Sequence, residues 1–240
     1  MKQPVVTVAA MRESDAYTIA HLVPSKTLMY RAAMGVALAV EWKGRIGILA
    51  GSGNNGGDGY ALACILADRG VPCELWRVSE KFSEDGQYYH DRAVEKGVPV
   101  SRFTPETALE DYDILVDCLL GTGFAGTPRD LFQKAIQAIN ASGAYVVSVD
   151  INSGLNGDTG LGELAVRSDL TVTIGFLKTG FFQGDSAAVI GALTVADIGI
   201  RLLEAAYFLE EGETLPFPLR SIPLEDVSGS DPILVEKETR

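Results

Sequence analysis

Apolar residues along this chain fall into short continuous runs, separated by longer stretches in which they recur at helical spacing. The runs at 114–119, 145–149, 170–176 and 193–198 read as apolar strands, the mark of strands buried on both faces, while 45–50 is a short β-rich run and 73–78 a further strand. Between them, 60–68, 84–96 and 128–140 carry the 3.6-residue period. The first two are closed by Gly70 and Gly97, and the third is opened by Pro128. Ahead of the first strand, 14–40 reads as two helices broken at Pro24-Ser25. Ser14 or Asp15 is the expected cap of the first and Ser25 of the second. Strands of this kind alternating with helices predict an α/β fold, a Rossmann-like parallel sheet with helices on both faces. The domain is expected over 1–211, N-terminal helices included. Residues 212–240, rich in proline and acid, are expected to form an irregular tail.

In such sheets ligands bind beyond the C-terminal ends of the strands, so the loops there carry the candidate chemistry. The first is Gly51-Ser52-Gly53-Asn54-Asn55-Gly56-Gly57-Asp58-Gly59. Gly51, Gly53 and Gly56 fit G-x-G-x-x-G between a strand and a helix, where glycines let backbone amides approach a phosphate. Five glycines in nine residues exceed what a tight turn needs. There is no G-K-[ST], so this is not a Walker-type loop.

In the second, Asp117 interrupts an apolar strand, and Gly121, Thr122, Gly123, Phe124, Ala125, Gly126 and Thr127 follow as a second amide-rich cradle before a helix. A buried carboxylate needs a cation or several donors, and both readings stand for Asp117. In the third, Asp150 ends a strand before Ile151-Asn152-Ser153-Gly154. It is either a turn cap or a carboxylate placed to exchange protons. Lys178 follows another strand and is either solvated or set against a phosphate or a catalytic carboxylate. Three loops that each combine Asp with Gly favour one shared site.

Composition narrows the classes. With 240 residues, 47% of them hydrophobic, the chain can bury a sizeable core. A net charge of −12 repels nucleic-acid backbones and anionic membranes, so neither partner is expected. It also means that backbone amides, rather than clustered Lys and Arg, must hold any phosphates, along 121–127 near the helix after Pro128. Cys64, Cys73 and Cys118 lack metal-ligand spacing and read as reduced, buried thiols. No segment has signal-peptide or membrane-span character, so the cytoplasm is the expected compartment. His21 and His90 lie outside the loops and read as packing or surface residues.

Taken together these motifs resemble the YjeF N-terminal family, the NAD(P)H-hydrate epimerases. The likeness spans about 11–200. It rests on Met11, Arg12 and Asp15, on Leu28-Met29, on Asn54-Asn55-Gly56-Gly57-Asp58-Gly59, on Asp117 with Gly121-Thr122-Gly123, and on Asp150 with Ser153-Gly154. The resemblance implies a homodimeric, Rossmann-like enzyme that interconverts the R and S forms of hydrated NADH or NADPH at carbon 6. A separate dehydratase that acts on one epimer would be its functional partner. It further implies a potassium ion on Asn55, Asp117 and Ser153. Substrate contacts would come from Asn54, Asn55, Gly56, Gly57 and Asp58, from Gly121 to Thr127, and from Lys178, with Asp150 as acid–base.

The chain departs from the family at Asn152, where the family has proline, and this is expected to loosen the loop that aims Asp150 and Ser153. No Gly-Gly-x-Gly-Asp-type dehydratase signature follows, so the chain is expected to be an epimerase alone or a piece of a longer protein. Two other readings remain open. One is a non-catalytic scaffold of the same fold. The other is an NAD-dependent dehydrogenase that uses Gly51 to Gly56 with Glu80 on the ribose.

Overall fold

The structure is a computed structural model, and it describes residues 2–210 and 212–228. In chain order the elements are β1 (Gln3–Val6), α1 (Val8–His21), α2 (Ser25–Ala39), β2 (Ile46–Ala50), α3 (Asn54–Asp68), β3 (Glu74–Arg77), α4 (Glu84–Glu95), β4 (Val100–Arg102), β5 (Ile114–Cys118), α5 (Asp130–Ala141), β6 (Tyr145–Val149), β7 (Ser168–Ile174), β8 (Leu177–Lys178), α6 (Ser186–Val189), β9 (Ile190–Ala196), β10 (Tyr207–Leu209), β11 (Leu219–Ile222) and α7 (Leu224–Ser228).

Eight strands form one sheet in the order β11-β9-β7-β6-β5-β2-β3-β4, with every pairing parallel. The continuous apolar runs explain this. Successive residues of β2 point to opposite faces, and both faces are covered. Ile46, Ile48 and Ala50 pack with α2 and α3, whereas Leu49 packs with Leu115 and with Ile136 and Ile139 of α5. From β2 the chain runs outward to β3 and β4, then returns to pair β5 on the other flank of β2. That reversal leaves a crevice between the loops that follow β2 and β5. A smaller sheet, β10-β1-β8, ties the start of the chain to later strands.

The long strands and helices lie within a few residues of expectation; the differences lie at short or glycine-rich segments. α1 starts at Val8 and is capped by Thr7, whose Oγ1 accepts the Ala10 N–H at 3.1 Å, not by Ser14 or Asp15. Ser14 and Asp15 sit inside the helix, where Ser14 Oγ accepts the Leu203 N–H at 3.2 Å. α3 begins at Asn54, so Asn-Asn-Gly-Gly-Asp-Gly is the first turns of a helix rather than a loop.

The stretch after 212 is not wholly irregular. β11 pairs with β9 over four residues and α7 buries Val227 against α2. Its prolines flank the strand rather than interrupt it, which leaves the N–H groups of 219–222 free for the ladder. The remainder of that expectation, 229–240, lies outside the described residues. Cys64, Cys73 and Cys118 are buried free thiols. Burial pushes Cys64 and Cys73 up to about 12.

Candidate active site

A cleft of about 470 Å³ opens at the crevice beside β2 and β5. Ser52, Gly53, Asn54, Asn55 and Asp58 form one wall, Leu119 to Phe124 a second, and Asp150 the floor. Met11, Arg12 and Asp15 of α1, Leu28 and Met29 of α2, and Asp85 of α4 complete it.

The glycines of α3 act through packing. A Cβ on Gly56 would lie 2.3 Å from the Gly51 oxygen, on Gly57 2.5 Å from Met29 Cε, and on Gly59 2.9 Å from Cys118 Cβ. Their absence lets α3 press against the sheet and its neighbours, which sets Asn55 and Asp58 at the cleft. Gly53 is the open one: a Cβ there would meet nothing within 4 Å. Gly53 also precedes the free N–H groups of the first turn of α3, a place where an anion is favoured.

Asp150 leaves β6 with φ +66°, a left-handed conformation that costs a non-glycine residue free energy and is tolerated best by Asn and Asp. The turn brings its carboxylate to two donors. Lys178 Nζ donates to Oδ1 at 2.6 Å and the Thr122 N–H to Oδ2 at 3.2 Å. Lys178 is fully buried and also donates to Thr173 Oγ1 at 2.7 Å and to the Ile174 carbonyl at 2.9 Å. It is therefore not solvated, and it stands behind Asp150 rather than among the residues that line the cleft. Gly121 separates Asp150 from α3. A Cβ there would lie 3.3 Å from both Asp150 Oδ2 and Asn55 Cβ, crowding the floor.

Asp117 has no solvent exposure. Ser153 Oγ at 2.5 Å and the Leu119 N–H at 3.2 Å donate to Oδ1; Ser148 Oγ at 2.8 Å and the Ser153 N–H at 2.9 Å donate to Oδ2. Burial raises its carboxyl above the usual range and these donors pull against that. Protein donors thus offset part of the cost of its burial. Around it, Ser153 Oγ accepts the Leu120 N–H at 2.8 Å and Asn55 Nδ2 donates to the Leu120 carbonyl at 3.1 Å. Asn55 of α3, Asp117 of β5 and Ser153 of the loop after β6 are thus linked through Leu120 and Ser153. Asn55 Oδ1 is buried and has no hydrogen-bond partner among the described residues.

Asn152 contradicts its expected effect. It is fully buried. Its Nδ2 contacts the Val166 carbonyl at 2.9 Å, Ser168 Oγ at 3.0 Å and the Val189 carbonyl at 3.0 Å, and its Oδ1 accepts from Thr171 Oγ1 at 2.6 Å. The amide ties the loop to β7 and the end of α6, which replaces the stiffness of a proline.

Of the expected contacts, Asn54, Asn55, Asp58, Gly121, Thr122, Gly123, Phe124 and Asp150 reach the cleft. Gly56 and Gly57 are buried in helix packing, and Ala125, Gly126 and Thr127 lie away from the cleft lining. The Thr127 hydroxyl donates to Glu163 at 2.9 Å. Arg12, at the rim, donates to the Gly123 carbonyl at 3.4 Å. Asp15 and Arg12 carried the resemblance without a role being assigned to them; their spacing on one helical face was the available signal. Asp85 gave none. Glu80 pairs with Arg77 at 3.2 Å and does not line the cleft, which removes the feature the dehydrogenase reading needed.

Fold and cleft define a Rossmann-like α/β protein with carboxylates gathered at its topological switch point. The YjeF-related protein N-terminus family matches residues 25–180, and the chain belongs to that family. An NAD(P)H-hydrate epimerase of Limosilactobacillus fermentum is 36% identical over 205 residues, covering 82% of this chain and 98% of that protein. One of Weissella koreensis is 35% identical over 207 residues, covering 81% and 91%. A bifunctional NAD(P)H-hydrate repair enzyme of Archaeoglobus fulgidus is 39% identical over 176 residues, which is 72% of this chain but 37% of that longer protein. The crystal structure of yeast ynu0 shares the fold, with a TM-score of 0.71 at 21% identity over 87% of this chain and 97% of that one.

Proposed function

We propose that this chain interconverts the R and S epimers of hydrated NADH and NADPH at carbon 6, with Asp150 exchanging protons at the reacting centre. The observation that carries the reading is Asp150 itself. A strained carboxylate at the floor of the switch-point cleft, backed by a buried lysine, sits where the family motifs converge. Family membership and the epimerase names of relatives covered over nearly their whole length support it. The phosphates would lie between the start of α3 and the Gly121–Gly123 backbone, with Arg12 at the rim.

Asn55, Asp117 and Ser153 would hold a potassium ion. The donor set fits: Asn55 Oδ1 is left without a partner, and Asp117 Oδ1 and Ser153 Oγ lie 2.5 Å apart. Oxygen ligands suit a hard cation. A single carboxylate among neutral oxygens suits one of low charge. Among the described residues no group of three or more His, Cys, Asp and Glu side chains is placed to bind a metal. When bound, the ion would fasten the loops after β2, β5 and β6 to one another.

The chain would work as a homodimer in the cytoplasm beside a separate dehydratase; the bifunctional repair enzymes among its relatives lend support to the dehydratase pairing. Among the described residues no helix is long and apolar enough to cross a membrane.

The test is to equilibrate the purified R epimer with the protein in potassium and in tetramethylammonium buffers, with a purified dehydratase reporting the S epimer. Conversion above the spontaneous rate, greater in potassium, is expected. Conversion at the spontaneous rate in both would overturn the reading; equal acceleration in both would overturn the ion alone.

A further inference from the structure

Four carboxyl groups line the cleft: Asp15, Asp58, Asp85 and Asp150. Two of them have cations. Lys178 meets Asp150 at 2.6 Å and Lys26 meets Asp85 at 3.3 Å. Asp58 and Asp15 have no ion-pair partner among the described residues. The groups facing Asp58 are Asp150, Asp15 from α1, Asp85 from α4, Cys118 from β5, and Lys178. The one cation among these, Lys178, is already committed to Asp150. Burial, and then the Asp150 and Asp15 carboxylates, push Asp58 well above the usual carboxylate range. Asp15 is raised by the same kinds of cause.

A buried ammonium requires a counter-charge, and Asp150 supplies it. A carboxyl left among like charges is favoured in its neutral form. Two acids held in unlike surroundings at one cleft are the arrangement that divides acid from base. Position agrees. The missing side chains of Gly56, Gly57 and Gly59 let α3 approach closely, and Asp58 lies among them on the cleft wall.

We propose that Asp58 is a second catalytic residue, the proton donor that works with Asp150 as acceptor. This rests on the epimerase reading above. The Asp58 carboxyl proton passes to the carbon 6 hydroxyl. The C–O bond breaks, water leaves, and the ring nitrogen lone pair closes a C=N bond. Water then adds to the other face of carbon 6, a new C–O bond forms, and its proton passes to Asp150. No oxidant or reductant is needed. The opposite epimer uses the same steps with the two carboxyl groups exchanged, and solvent returns the proton between turnovers.

The experiment compares single-turnover epimerisation and nucleotide affinity for wild type, Asp58→Asn, Asp58→Glu, and Asp58→Ala with and without added formate. Asp58→Asn is expected to lose roughly two to four orders of magnitude in rate, with affinity within a few-fold of wild type. Asp58→Glu should recover part of the rate, and formate should raise that of Asp58→Ala. A wild-type rate in Asp58→Asn overturns the assignment. So does an equal loss in Asp58→Glu together with no response of Asp58→Ala to formate. A wild type that does not epimerise at all overturns this assignment and the reading beneath it together, which separates the two failures.

Discussion

Asp117 and Asp150 end neighbouring strands of one sheet, each after an apolar run and shortly before a glycine, yet they sit in opposite surroundings. Asp117 stays in the extended strand, out of reach of solvent, and is held by four neutral donors, three of them from Ser148 and Ser153. Asp150 turns left-handed into the cleft and balances a buried ammonium, with the Thr122 amide on its other oxygen. Neutral donors on every side fix a carboxylate in place. A single cation on one oxygen leaves the other open to a substrate. The same residue type in the same sequence setting thus braces the loops in one case and opens onto the cleft in the other.

The sharpest break of that comparison is Asp150→Asn. The rate should fall by roughly two to four orders of magnitude. The amide also strands Lys178 as an uncompensated buried charge, a cost of up to about 3–5 kcal/mol in denaturant unfolding. Adding Lys178→Met should recover stability and not rate. A double variant as unstable as the single one would remove the ion pair from the account.

Asp117→Asn should show the reverse balance. An amide cannot accept all four donors, so unfolding should cost about 1–3 kcal/mol less for each donor stranded. At temperatures where the variant stays folded, its rate should fall less than that of Asp150→Asn. A rate loss equal to that of Asp150→Asn in a protein of wild-type stability would erase the distinction.

The smallest effect tests the loop between them. Asn152→Pro restores the residue usual in the family, but it removes contacts to Val166, Ser168, Val189 and Thr171. It should lower unfolding free energy by about 1–3 kcal/mol, toward the low end because two of the stranded groups are carbonyls. An unchanged or raised melting temperature would show that the proline can replace the network.

The sheet was legible because its strands are apolar on consecutive positions, as in the IGILA of β2. Its C-terminal edge, and with it Asp117 and Asp150, followed from the placement of aspartates at the ends of such runs. What escaped was set by partners distant in sequence. β8 has two residues and β10 three, too short for a period to register. The glycines of α3 look in sequence like a phosphate loop because close helix packing and close ligand approach ask for the same residue. The network of Asn152 could not be read locally, since its partners lie 14 to 37 residues away. The role of Lys178 depended on knowing that its short strand runs beneath Asp150.

The small sheet has a consequence for how the molecule is made. β1 lies between β8, where Val6 pairs with Lys178, and β10, where Gln3 pairs with Leu209. It leads directly into α1, the wall that carries Arg12 and Asp15. On the ribosome β1 and α1 emerge long before both strands that flank β1. The core strands β2, β3, β5 and β6 can associate well before that, whereas pairings so remote in sequence form slowly. A segment made well ahead of its partners is thus docked late, and the cleft acquires its α1 wall only after β8 and β10 have been translated.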